Sequence, residues 1–128
     1  MLIVALVLAA LAGLLHVWIF VMESMLFDRP SIHGRFGVAT ADVPVVRPWA
    51  YNQGFYNLFL GLGALAGVVV AAGGQHGVGL ALVLASCGSM LLAALVLVGS
   101  NRSMARAAAS QGTVPLLAVL VAVIAAVA

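Results

Sequence analysis

The chain is 128 residues long, 66% hydrophobic and only 6% charged, with five Lys or Arg against three Asp or Glu. At a mean hydropathy of +1.28 it lacks the charge to coat a water-soluble globule of its size, so much of its surface must face lipid. A soluble domain is excluded, and so is a disulfide scaffold, because there is a single cysteine.

Crossing a hydrocarbon core of roughly 30 Å takes about 20 apolar residues in helical form. The first such stretch runs from about Leu2 to Phe27. Its small residues, VLAALAG, give it the look of a secretion signal, but no basic residue precedes it and it continues past His16, so it reads as a spanning helix. The connection over 28–49 is interrupted by Pro30, Gly34, Gly37, Pro44 and Pro48 and ends at Trp49, a residue type that rests at lipid headgroups. It predicts a compact interfacial loop. A second helix follows over about Ala50–Ala72, a third over Val78–Gly99 and a fourth over Val114–Ala128. These runs are continuously apolar rather than alternating, which excludes β-barrel strands. The expected fold is all-α, one domain over 1–128, an integral membrane bundle of four transmembrane helices. Gly63 and Gly67 on helix two, with Gly79 and Ser86 to Ser89 on helix three, offer thin surfaces for close packing.

All five basic residues are arginines. Arg29, Arg35 and Arg47 fall in the first connection and Arg102 and Arg106 in the third, while GGQHG, Gly73–Gly77, has none. The positive-inside rule then puts the 28–49 loop and the third connection in the cytoplasm and both termini outside, as a multi-pass protein of the cell (inner) membrane. Arginines facing an anionic leaflet need no nucleic acid to explain them, so none is expected as a partner.

Against this apolar background the stretch YNQGFYN, Tyr51–Asn57, stands out. Asn52 and Tyr56 are four apart, as are Gln53 and Asn57, so each pair stacks on one helix face and the two faces adjoin. Helix one supplies His16 and Glu23, seven residues and about 10 Å apart along one side. An ionisable group at such depth costs about 2.5–3.5 kcal/mol facing lipid, so both should turn into the bundle. Asn101 ends helix three and Gln111 precedes helix four at the same level. The polar set is thus clustered at the loop-bearing end. The bland readings are an ion pair of Glu23 with Arg29 or Arg47, an interhelical hydrogen bond for His16, and amide glue worth about 0.6 kcal/mol per contact. Three amides and a tyrosine opposite a carboxyl exceed what packing needs, which favours a pocket. Tyr51 reads as an interfacial anchor, and His33 and His76 as connection residues. No metal-ligand spacing supports a metal site.

The chain also resembles, over nearly its whole length, a family of small four-helix membrane proteins of bacteria and fungi catalogued as a domain of unknown function. The His16–Glu23 helix, RPSIHGRFG, NQGFYN and QGTVP carry the resemblance, NQGFYN most specifically; VGSNRS stands where that family usually has a Tyr-Gly pair. The resemblance implies fold and membrane location and no activity.

The favoured expectation is an enzyme acting, without cofactors, on a lipophilic small molecule drawn from the bilayer by isomerisation, cyclisation or epoxide opening. Glu23 would be the acid or base with His16 or Tyr56 assisting, and Asn52, Gln53, Asn57, Asn101 and Gln111 would orient substrate. The alternatives are a proton-coupled exporter similar to small multidrug resistance transporters and an accessory membrane subunit. A homo-oligomer is expected to complete the site.

Overall fold

The structure, a computed structural model, describes residues 1–127. Helix α1 covers Leu2–Phe20 and passes directly into a π-helical turn, Val21–Met25. A short α2, Pro30–His33, and 3-10 turns at Gly34–Phe36 and Thr40–Asp42 lead to α3, Val43–Ala72. Then come α4, His76–Ser100, a 3-10 turn at Arg102–Met104, and α5, Ala105–Val127. Four of these helical stretches, Leu2–Met25, Thr40–Ala72, His76–Ser100 and Arg102–Val127, are long and apolar enough to cross a membrane. Among the described residues there is no strand. The all-α bundle of four spanning helices is therefore present.

The long helices form a square. Helix α1 packs on α3 and α5, and α4 packs on the same two, so α1 and α4 lie across a diagonal. Small side chains face inward: Ala5, Ala9, Ala12, Ala64, Ala118 and Ala122 are all fully buried. Leu11, Leu14, Phe59, Leu92 and Leu120 face outward. That inversion of a soluble core suits a protein whose solvent is as apolar as leucine, where close backbone approach drives helix association. Gly67, one of the thin positions read from the sequence, lies so close to α4 that an added Cβ would meet the Gly79 carbonyl oxygen at 2.8 Å. Gly61 meets the Gly13 carbonyl oxygen of α1 in the same way, also at 2.8 Å.

Two helix starts differ from expectation. The second spanning helix begins at Val43, not Ala50, because Pro44 falls in the first turn, where its missing N–H has no partner to lose. Pro48 forfeits only one backbone bond slightly further in. The fourth begins at Ala105, not Val114: ARAAAS is rich in the best helix formers, and Pro115 sits inside the helix. Ala128, the expected last residue of that helix, lies outside the described residues.

The first connection is correspondingly shorter and folds onto the bundle. Ile32 packs with Ile19 and Met22 of the first span, bordered by Leu26 and Phe36. His33 is a buried residue rather than an exposed loop position, 3% exposed and 6.4 Å ring to ring from Phe27. Its Nδ1 donates to the Val38 carbonyl at 2.7 Å, while its Nε2 is buried with no partner. Gly37 turns the chain with φ of 72°, a conformation that favours glycine. Outside, Arg47 Nε contacts both oxygens of Asp28 at 2.8 and 3.0 Å.

If helix approach governs stability, Gly61→Val should destabilise the bundle by about 1–3 kcal/mol through overpacking. Gly88, whose Cβ position faces open space, should accept alanine with a change within about 0.5 kcal/mol. Thermal unfolding of both variants in one detergent measures the contrast.

Candidate functional site

At the loop end of α1 the widened π-turn presents Met22, Glu23 and Ser24 to the interior. Such single-turn departures from α-geometry recur at functional sites. Ser24 Oγ donates to the Tyr51 carbonyl of α3 at 2.9 Å, tying the turn to its neighbour. Gly54 leaves the gap that this requires. A Cβ there would overlap the Ser24 hydroxyl and approach Glu23 Cβ to 3.1 Å. With the helices this close, Asn57 Nδ2 donates to Glu23 Oε2 at 2.7 Å and also to the Gln53 carbonyl at 3.3 Å. Glu23 is 9% exposed. Its other oxygen, Oε1, has no protein donor among the described side-chain bonds.

Beside this pair lies a cleft of about 350 Å³. Glu23 and Phe27 from the first span, Phe36 and Val38 from the connection, and Val46, Trp49, Ala50, Asn52 and Gln53 from α3 line it. Amides and carboxyl thus share a mainly aromatic and aliphatic enclosure, the ordinary make-up of a small-molecule site. No arginine lines it. Arg47, a candidate partner for Glu23, instead holds Asp28, and that is the one ion pair among the described residues.

The sequence expectations divide accordingly. Glu23 and Asn57 are bonded, and Asn52 and Gln53 line the same cleft. His16 is buried, but its Nδ1 donates to the Ala12 carbonyl of its own helix at 2.9 Å and it does not line the cleft. Tyr56 is 58% exposed and does not line it either, so the continuous polar face drawn across Asn52 and Tyr56 is not assembled around Glu23. Asn101 Oδ1 accepts from Ser103 N at 3.1 Å and Ser103 Oγ at 2.7 Å, which makes it the cap of the α4–α5 turn. Gln111 is half-buried on α5 and takes no part in the cleft. Among the described residues no three His, Cys, Asp or Glu side chains come together as a metal-ligand group.

Sequence reasoning missed the cleft's apolar walls. Phe27 at the end of the first span and Ile32, Phe36 and Val38 in the connection recur beside Arg29, Ser31 and Arg35, and that pattern is the signal of a loop docked on the protein. The π-turn and the Ser24 tie left no comparable trace.

A family model described as "Protein of unknown function (DUF1304)" matches residues 10–123. The chain belongs to that family. The match agrees with the resemblance drawn from the sequence, and it spans every residue of the DUF1304 protein's cleft. No curated protein and no solved structure matches the chain.

Losing the donor to a buried carboxylate costs about 1–3 kcal/mol. Asn57→Ala should therefore destabilise this DUF1304 protein by that amount, and the loss should shrink in a Glu23→Leu background. A double-mutant cycle by denaturation in detergent reads the coupling; additive losses would mean that the two side chains do not interact.

Proposed function

We propose that this DUF1304 protein binds a lipophilic small molecule in the Glu23 cleft and rearranges it by proton transfer. The observation that carries the reading is a nine-tenths buried carboxyl that lines a mainly apolar cleft, one oxygen held by Asn57 and the other without a donor among the described side-chain bonds. Oε1 is the atom available to a ligand. Protonated there, Glu23 gives its proton to an ether, epoxide or carbonyl oxygen; the carboxylate that remains takes a proton from carbon or hydroxyl elsewhere on the same molecule. The sum is an isomerisation, cyclisation or ring opening in which the carboxyl returns to its starting state. Asn52 and Gln53 carry both donors and acceptors and orient the oxygen. Asn57 is a positioning residue, since it acts through Glu23.

Reaction is favoured over export by the other half of the bundle. There Ala5, Ala9, Ala64, Val83 and Ala122 have no exposed surface, and an exporter needs its site reachable from both sides. The cleft lies at the end with both arginine-bearing connections, so the proposed orientation puts it at the cytoplasmic leaflet of the cell membrane, with the termini outside.

The reading is tested by extracting the protein from its own membrane and comparing variants by native mass spectrometry and chromatography of the bound molecules. The wild type should retain a discrete lipophilic mass that is not a phospholipid, and Ala50→Phe, which fills the cleft, should lose most of it. Membranes containing Glu23→Gln should accumulate the unreacted form, with turnover lowered about 10²–10⁴-fold. Phospholipid alone on the wild type, or identical profiles for wild type and Glu23→Gln, would rule the proposal out.

Orientation has its own test. In a Cys87→Ser background, single cysteines at Ser31 and Ser103 should react with an impermeant reagent only from the cytoplasmic side, and one at Gln75 only from outside. The reverse pattern would invert the assignment.

A further inference from the structure

Along the bundle axis the polar residues of the cleft lie deeper and most of its apolar ones nearer the loop end. Glu23 sits level with Gly54, to judge from the 3.1 Å between Glu23 Cβ and a Cβ built at that glycine. Counting back along α3 at about 1.5 Å per residue, Trp49 lies about 7.5 Å nearer the loop end and Val46 about 12 Å nearer. Phe27 is four residues beyond Glu23 in the same direction, and Phe36 belongs to the docked connection itself. The walls nearest the loop end are therefore aromatic and aliphatic, while the carboxyl and the amides of Asn52 and Gln53 lie deeper and form the floor.

This order is the reverse of a membrane amphiphile's. A phospholipid or fatty acid lying in the leaflet keeps its polar head at the loop level and sends its chain inward, so it would set head against Phe36 and Trp49 and chain against Glu23. Charge narrows the choice further. Arg47, the chain neighbour of Val46, is held by Asp28; among the described residues no arginine lines the cleft, and Glu23 is the one acid that does. An anionic group at the floor would meet a carboxyl and find no cation, and a charge desolvated without a partner is strongly disfavoured.

We infer that the ligand is a compact, non-anionic lipophile carrying one oxygen function, and that it enters polar end first. The hydroxyl, carbonyl or ether oxygen reaches Glu23 Oε1 and Gln53, and the hydrocarbon body stays beneath the connection against Phe27, Phe36 and Trp49. The inference rests on the proposed use of the cleft and adds the shape, charge and direction of what fills it.

Adamantane derivatives supply a rigid compact body whose polar group alone changes. The probes are 1-adamantanol, 1-adamantanecarboxylate, 3-bromo-1-adamantanol and linear 1-decanol, added to the full-length Trp18→Phe protein in phosphatidylcholine nanodiscs. Trp18, on α1, is replaced so that fluorescence reports Trp49 alone. 1-Adamantanol should bind, and both the carboxylate and decanol should bind at least tenfold more weakly. Gln53→Lys, which adds a cation to the floor, should recover the carboxylate by at least tenfold. Because the bromine points away from the hydroxyl, the bromo compound should quench Trp49 when bound. Equal binding of alcohol and carboxylate, equal binding of decanol, or binding of the bromo compound without quenching would overturn the inference and leave the cleft as a binding site. Failure of every probe, together with a wild-type protein that carries only phospholipid, would bring down the proposed function as well.

Discussion

Between α1 and α3 there is no room for a side chain at position 54. An alanine methyl group would overlap the Ser24 hydroxyl and crowd the Cβ of Glu23. Because that space is empty the two backbones run close together, and the rest of the loop end follows. Ser24 reaches the Tyr51 carbonyl, and Asn57 reaches the carboxyl at 2.7 Å. A separation greater by about 1 Å would take that amide outside hydrogen-bonding range. A buried carboxyl costs about 2.5–3.5 kcal/mol if it is left to lipid. A hydrogen bond to a charged group returns about 1.5–3 kcal/mol. The two are of similar size, so the glycine contact decides whether Glu23 is tolerated at this depth.

The far end of the bundle and the loop end solve different problems. Towards the Gly73–Gln75 turn the helices meet closely through small residues such as Gly67, Ala71 and Gly79. Towards the connection the packing opens, and the space is closed by a folded segment instead of a helix face. Ile32 anchors that segment against Ile19 and Met22, the His33 bond to Val38 fixes its return, and Phe36 and Val38 become cleft walls. The connection is thus part of the site.

Much of this could be read from residue order, and the failures share a physical cause. Four spanning helices follow from hydropathy, which depends on composition over windows of about 20 residues. The Glu23–Asn57 pairing follows from depth: a carboxyl in a span needs a partner, and the amides of the next helix lie at its level. Pro44 and Pro48 mislead because proline's effect depends on its distance from a helix start, which the residue itself does not mark. Depth alone groups Asn101 and Gln111 with Glu23, and the four-residue spacing from Asn52 adds Tyr56. Depth sets the level of a side chain along the bundle, while its direction around the axis depends on packing, and Tyr56 turns outward where Asn57 turns in. The π-turn shifts that direction for Glu23 without changing residue composition at all.

The pairing across Gly54 also has a place in time. Glu23 precedes Asn57 by 34 residues, and chains are made from the amino terminus at about 5–20 residues per second. The first span is therefore complete for seconds before its hydrogen-bond partner exists. During that interval Leu2–Phe20 must hold the segment in the membrane by hydropathy alone, with the carboxyl waiting at the interface. Only when α3 arrives can the two helices close on the glycine and draw Glu23 inward. Every residue that lines the cleft is therefore made before α4 and α5.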